Sequence, residues 1–110
     1  MSNQPCRFLA LPKHFGRRPD ASFPDATTPL ERAQVRAAQV QHTVALSTRD
    51  ALDARGESLD WLANELGEHV DHLRRKLHGK AIASLTDLTA WAEVLSLPAN
   101  ELEFSAQASS

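Results

Sequence analysis

LANELGEHVDHLRRKLHGK, residues 62–80, reads as two short helices joined by a glycine turn, the second carrying an Arg-Arg-Lys cluster. Leu62, Ala63 and Leu66 share one helical face, and Gly67 stands where the first helix must stop. Glycine enters the left-handed region there without a Cβ clash. Ala63 is small at the place where two steeply crossing helices approach most closely. Beyond the turn, Val70, Leu73 and Leu77 fall at i, i+3 and i+7, which at about 100° per residue puts all three on one core-facing side. Asp71, His72 and Arg75 then face outward, with Arg74 and Lys76 on the flanks, their stems along apolar surface and their charges in water.

Both ends of the pair are punctuated. Ser58 is a good N-cap for the LDWLANEL run, and Gly79-Lys80 closes the second helix. With Ser58, Ala63, Gly67, Leu73, Gly79 and Lys80 in this order and spacing, the chain resembles the phage-repressor and Cro-like helix-turn-helix (XRE-type) family of DNA-binding transcriptional regulators, over roughly residues 41–104, about three fifths of its length. The resemblance implies a compact bundle of about five helices, a dimer on double-stranded DNA, and a recognition helix over about 70–78 lying in the major groove. Carried over residue by residue, it makes Val70, Asp71, His72 and Arg75 the base contacts. Ser58, His69, Arg74, Lys76 and Lys80 become the phosphate contacts. Glu68 and Lys76 depart from the family pattern, which has apolar side chains at both places.

The formal net charge of −2 argues against DNA only until the charges are placed along the chain. Residues 69–80 hold Arg74, Arg75, Lys76 and Lys80 against Asp71 alone, whereas residues 81–110 hold Asp87, Glu93, Glu101 and Glu103 with no Lys or Arg. Such polarity orients a protein on a polyanion, basic side inward. With 110 residues and 42% hydrophobic content, the chain can fill one small core. The absence of Tyr, the abundance of Ala and Leu, and the lack of long alternating runs predict an all-α fold.

Residues 1–28 carry Pro5, Pro12, Pro19 and Pro24, too closely spaced for a stable helix, and are expected to form a flexible arm. Three uses stay open for it. It is a solvated leader, a basic arm whose Arg17 and Arg18 lie in a minor groove, or a segment that docks Phe8, Leu9, Leu11, Phe15 and Phe23 on the domain or on a protein partner. The helical domain is expected over 29–104, with a disordered tail at 105–110. Thr28-Pro29-Leu30-Glu31 opens its first helix with a capping-box pattern. Leu30, Ala33, Ala37, Val40 and Val44 then form a stripe, read as core packing with subunit pairing as the alternative. A pause is expected at Ser47-Thr48, where Thr48 could cap a separate helix. Ser84 and Asp87 open the last helix, whose buried face is expected to be Leu85, Leu88, Ala92 and Leu95, with Trp61 and Trp91 also in the core.

Cys6 is the only cysteine, so no intrachain disulfide forms, and a reduced cytoplasm fits. No run approaches the ~20 apolar residues of a membrane span. His69 and His72 can face one ion, but His78 lies on another side of the helix, and neither a metal site nor a cofactor is expected. No nucleophile elbow, phosphate-binding glycine loop or framed carboxylate pair appears, which argues against an enzyme. The leading expectation is a sequence-specific DNA-binding regulator. The rival is a protein-interaction module, such as an antitoxin or accessory factor, acting through the N-terminal arm and the acidic C-terminal helices.

Overall fold

A computed structural model describes residues 5–9, 12–18, 23 and 25–97. Among them are four α-helices and no strand: α1 (Pro29–Arg55), α2 (Leu59–Leu66), α3 (Val70–Leu77) and α4 (Leu85–Leu95), preceded by 3-10 turns at Pro5–Phe8 and Pro12–His14. At 1.5 Å per residue the 27 residues of α1 span ~40 Å, the longest dimension of the molecule. The other elements are laid against this one rod.

α1 replaces the two helices expected on either side of Ser47-Thr48, which is why four helices stand where about five were expected. Val44, Ala45 and Leu52 are buried in one core with side chains of α2, α3 and α4, and Thr48 between them is buried too. A break at Thr48 would swing half of that face out of the core, so packing overrides the weak capping signal. The hydroxyl of Thr48 is fully buried without a hydrogen-bond partner, a local cost that the surrounding apolar contacts offset. α1 starts where expected, with Thr28 Oγ1 accepting from Glu31 N at 3.1 Å and Pro29 in the first turn, one half of the capping box that the pattern predicts.

The roll of α1 differs from the expected stripe. Leu30 is 69% exposed and Ala33 and Ala37 lie on the surface, while Val35, Ala38, Gln41 and His42 turn inward. Val44 is buried and Val40 packs against the core as expected, but earlier in the helix the inward residues are Val35, Ala38, Gln41 and His42, and an apolarity pattern passes over the last two because they are polar. Leu85 is likewise exposed, at 72%, because it sits in the first turn of α4, outside the strip Leu88, Trp91, Leu95 that meets the core. Trp91 is fully buried. Trp61 is half-buried, with the Arg55 guanidinium 5.2 Å from its ring centre.

The main core joins Val44, Ala45 and Leu52 of α1 to Leu62, Ala63, Leu73, Leu77, Leu88, Trp91 and Leu95. A second, smaller core forms where the N-terminal segment crosses α1, uniting Leu9 and Phe15 with Ala38, flanked by Phe8 and Phe23. In its described residues the segment 1–28 is therefore packed rather than a free arm. Its apolar side chains dock on the domain, and Leu11 lies outside the described residues, as do residues 98–110. His42 pins the segment down: Nδ1 accepts from Gly16 N at 2.8 Å, and Nε2 lies 3.1 Å from the Arg18 carbonyl. Phe15 and Phe23 present their edges to the same ring. Gly16 has a φ of 69°, and a Cβ there would stand 2.2 Å from the carbonyl oxygen of Leu77. Only glycine brings this turn onto the end of α3.

Candidate nucleic-acid interface

α2 and α3 are built by local signals and meet at the turn that the glycine spacing predicts. Ser58 Oγ accepts from Trp61 N at 3.1 Å. Gly67, at φ 67°, ends α2, with Glu68 N donating to Ala63 O at 2.9 Å, the paired bonds of a left-handed helix end. His69 caps α3, its Nδ1 accepting from Asp71 N at 3.3 Å. Leu73 and Leu77 are buried and Val70 is half-buried beside them. Their burial sets the roll of α3 and turns Asp71, His72, Arg74 and Arg75 to the surface.

The surface residues differ in their freedom. Asp71 accepts from Arg74 Nη1 at 2.8 Å and lies 3.8 Å from His69 Nδ1. The His69 and His72 rings are 5.7 Å apart. Arg75 and Lys80 form no ion pair among the described residues. Val70, half-buried, presents only part of its side chain to the surface. Among the described residues no three His, Cys, Asp or Glu side chains converge on a common point as metal ligands.

Lys76 stands apart from the phosphate contacts with which it was grouped. Its Nζ lies 2.5 Å from Glu68 Oε1 and 3.2 Å from Asp87 Oδ2, with only 19% of its side chain exposed. The two departures from the family pattern thus answer each other across the turn, with Asp87 of α4 as the third member. Burial works against the Lys76 charge, but its bonds to Glu68 and Asp87 outweigh this and hold the ammonium above its usual pKa. For Asp87 too, burial is outweighed, by the Ser84 backbone N–H and Lys76, and its carboxyl is held low. Asp87 also completes a reciprocal capping box with Ser84, so one carboxylate starts α4 and ties it to α3. Lys76 is a strut within the unit that presents Arg75, not a surface cation.

Gln41 anchors the other end of that unit. Its Nε2 donates to Lys76 O at 2.7 Å and to Ala81 O at 2.9 Å, while Oε1 accepts from Ala83 N at 2.9 Å. A buried amide on α1 thereby fixes where α3 ends and the connection to α4 begins. Nothing in the local sequence marks Gln41, because its partners lie 35 to 42 residues away.

The packed N-terminal turn alters the place of the arm residues. Arg17 Nε donates to His78 Nδ1 at 3.4 Å, beside the end of α3. The carbonyl of Arg18 is engaged by His42, and its side chain is exposed. Next to Arg17 lies Arg49 of α1, which the sequence reading passed over. Together with Arg74 and His78 they line a cleft of about 440 Å³ that also touches Ser58, Asp53 and Glu57. The imidazole of His78 is pushed down to about 4, first by burial and then by the charges of Arg17, Arg49, Lys80 and Arg74. Four cations thus stand near His78 at the end of α3, in a chain of negative net charge.

Among known proteins, no family model, no curated protein and no solved structure matches this chain. The residues themselves carry the functional reading.

Proposed function

We propose that the protein is a sequence-specific double-stranded DNA-binding regulator in which α2, the Gly67 turn and α3 act as a helix-turn-helix and α3 enters the major groove. One observation carries the reading. α3 is rolled so that Asp71, His72 and Arg75 face outward as a row, while Arg74, Arg17, Arg49 and Lys80 flank them. Outward polar side chains suit base edges and flanking cations suit phosphates. Arg75, which forms no ion pair among the described residues, is the guanine contact, because a guanidinium bonds both acceptors of that base. His69, which caps α3, and Ser58, which caps α2, lie at helix starts where backbone N–H groups also meet phosphates. A two-fold dimer fits the exposed strip Leu30, Ala33, Ala37, an apolar face that α1 leaves outside its own core. The test is selection from a randomised duplex pool at moderate salt. An enriched two-fold motif supports a dimeric reader, and retention without enrichment refutes base recognition.

A second reading, a protein-interaction module, is favoured by one feature. An apolar groove of about 320 Å³ opens between Pro5, Phe8, Ala37 and Ile82, with Ile82 62% exposed. Removing residues 1–28 does not separate the two readings, because it also strips Phe15 and Leu9 from a core. Substituting Ile82→Ser leaves both cores intact: a groove-directed binder loses its partner, and a DNA regulator keeps its site preference.

A further inference from the structure

The cleft at the end of α3 has features that base reading by Asp71, His72 and Arg75 does not use. Three arginines from three separate elements line it: Arg17 from the N-terminal turn, Arg49 from α1 and Arg74 from α3. Among the described residues neither Arg17 nor Arg49 forms an ion pair, although Asp53, one turn after Arg49 on α1, and Glu57 line the same cleft. Folding has gathered three like charges, of which Arg74 is paired with Asp71, and an anion that joins Arg17 and Arg49 relieves the repulsion between them. Arg17 is also aimed. Gly16 seats its turn on the Leu77 carbonyl, His42 holds that turn by two hydrogen bonds, and His78 Nδ1 receives the guanidinium. A guanidinium held by packing and hydrogen bonds loses less freedom on binding than a free one.

We propose that this cleft is a phosphate site, formed by Arg17, Arg49 and Arg74 around His78, and that on duplex DNA it takes one backbone phosphate beside the groove that α3 occupies. The second clause rests on the DNA-binding reading; the first does not. Arg74 and His78 are four residues apart and share one strip of α3, next to the strip that carries Asp71 and Arg75. A phosphate in the cleft thus sits at the flank of a helix whose neighbouring face reads bases. The N-terminal turn contributes to binding as a fixed clamp on the backbone, not as a strand in the minor groove.

Two measurements on the full chain separate the clauses. In the first, the His78 ring resonances are followed while inorganic phosphate is added, for the native protein, Arg49→Gln and Arg17→Gln. Arg49 and Arg17 are exposed, so loss of either charge spares the core. The charged groups facing His78 are Arg17, Arg49, Arg74 and Lys80, with Asp53 and Glu57 lining the same cleft and Asp71 paired to Arg74. An anion among them favours the imidazolium, so phosphate is expected to shift His78 and raise its titration midpoint, and Arg49→Gln to abolish the response. In the second, the salt dependence of DNA affinity is compared between native protein and Arg49→Gln. One lost phosphate contact flattens the log–log slope by about 0.9 and weakens binding roughly tenfold at 0.1 M salt, equally on every sequence.

If phosphate leaves His78 unmoved and Arg49→Gln leaves the slope unchanged while the native protein binds duplex, the clamp is refuted and DNA binding stands. If phosphate moves His78 through Arg49 but duplex is not retained at all, the phosphate site stands for a free phosphate group, and the DNA reading falls. A response to inorganic phosphate with native binding and an unchanged slope overturns the backbone clause alone.

Discussion

Replacing Gln41 by Ala tests whether one buried amide holds the candidate interface together. Gln41 is 2% exposed and makes three hydrogen bonds to backbone atoms of the connection between α3 and α4. Truncation does not orphan all three partners equally. Lys76 O keeps a second donor, Gly79 N at 3.1 Å, whereas Ala81 O and Ala83 N have no other partner among the described residues. An unsatisfied buried group costs about 1–3 kcal/mol; these two are half-buried, so the lower half of that range applies to each. The lost side-chain volume adds on the order of 1 kcal/mol. The sum, about 3–5 kcal/mol, is a large fraction of the ~5–15 kcal/mol that stabilises a typical domain. Urea unfolding at pH 7, followed by fluorescence of the buried Trp91, measures it. Gln41→Glu sharpens the test. A carboxylate still accepts from Ala83 N but faces two carbonyl oxygens, so its folded pKa is raised. Its penalty relative to native protein is then largest at pH 7 and shrinks as the pH falls through that pKa. A loss below ~1 kcal/mol for Gln41→Ala with an unchanged m value would refute the reasoning, because it would mean that water satisfies the freed groups.

Gly16→Ala and Gly67→Ala both place a side chain at positive φ. Nothing lies within 4 Å of a Cβ at Gly67, while at Gly16 it meets the Leu77 carbonyl; thermal unfolding should therefore show about 1 kcal/mol lost at Gly67 and at least twice that at Gly16. His42 and His78 are both held below the usual imidazole pKa, mainly by burial. Their stabilisation is complete above the unfolded value of about 6.5 and declines as the pH falls below it, for His78 down to about 4, because the unfolded chain takes up these protons first. A His42→Gln variant that loses as much stability as native protein between pH 7 and pH 5 would discount His42 in that window. Arg75→Ala should cost about 1–3 kcal/mol on the preferred duplex and relax one base position; equal losses on all sequences, measured by competition binding, would make Arg75 a phosphate contact.

The parts of the fold that were legible in the sequence are the ones decided within a few residues. Ser58, Gly67, Thr28 and the Ser84-Asp87 pair mark helix ends because a cap satisfies N–H or C=O groups next to it in the chain. Leu73 and Leu77 gave the roll of α3 because their spacing needs no partner to be read. Two errors share a cause. Gln41 and His42, being polar, had no place in the expected stripe of α1, yet they turn inward while Leu30, Ala33 and Ala37 face outward. Lys76 looked like a phosphate ligand because its partners, Glu68 and Asp87, lie on other elements. Of the candidate interface, the outward row on α3 could be read directly, but the cleft could not. Arg17, Arg49 and Arg74 are spread over nearly sixty positions, and nothing local brings them together.

By itself, then, the sequence determined an all-α chain, the α2–turn–α3 pair and the face that α3 turns outward. These follow from backbone capping and helical periodicity, which act over one or two turns of helix. Only the tertiary structure decided that α1 is unbroken, that Lys76 points inward, that the N-terminal turn is part of a core, and that the arginines converge. Each of these depends on a polar or charged group meeting its partner across 8 to 61 positions of chain or on a face being buried by a distant element. Such partners exist only once the core has closed.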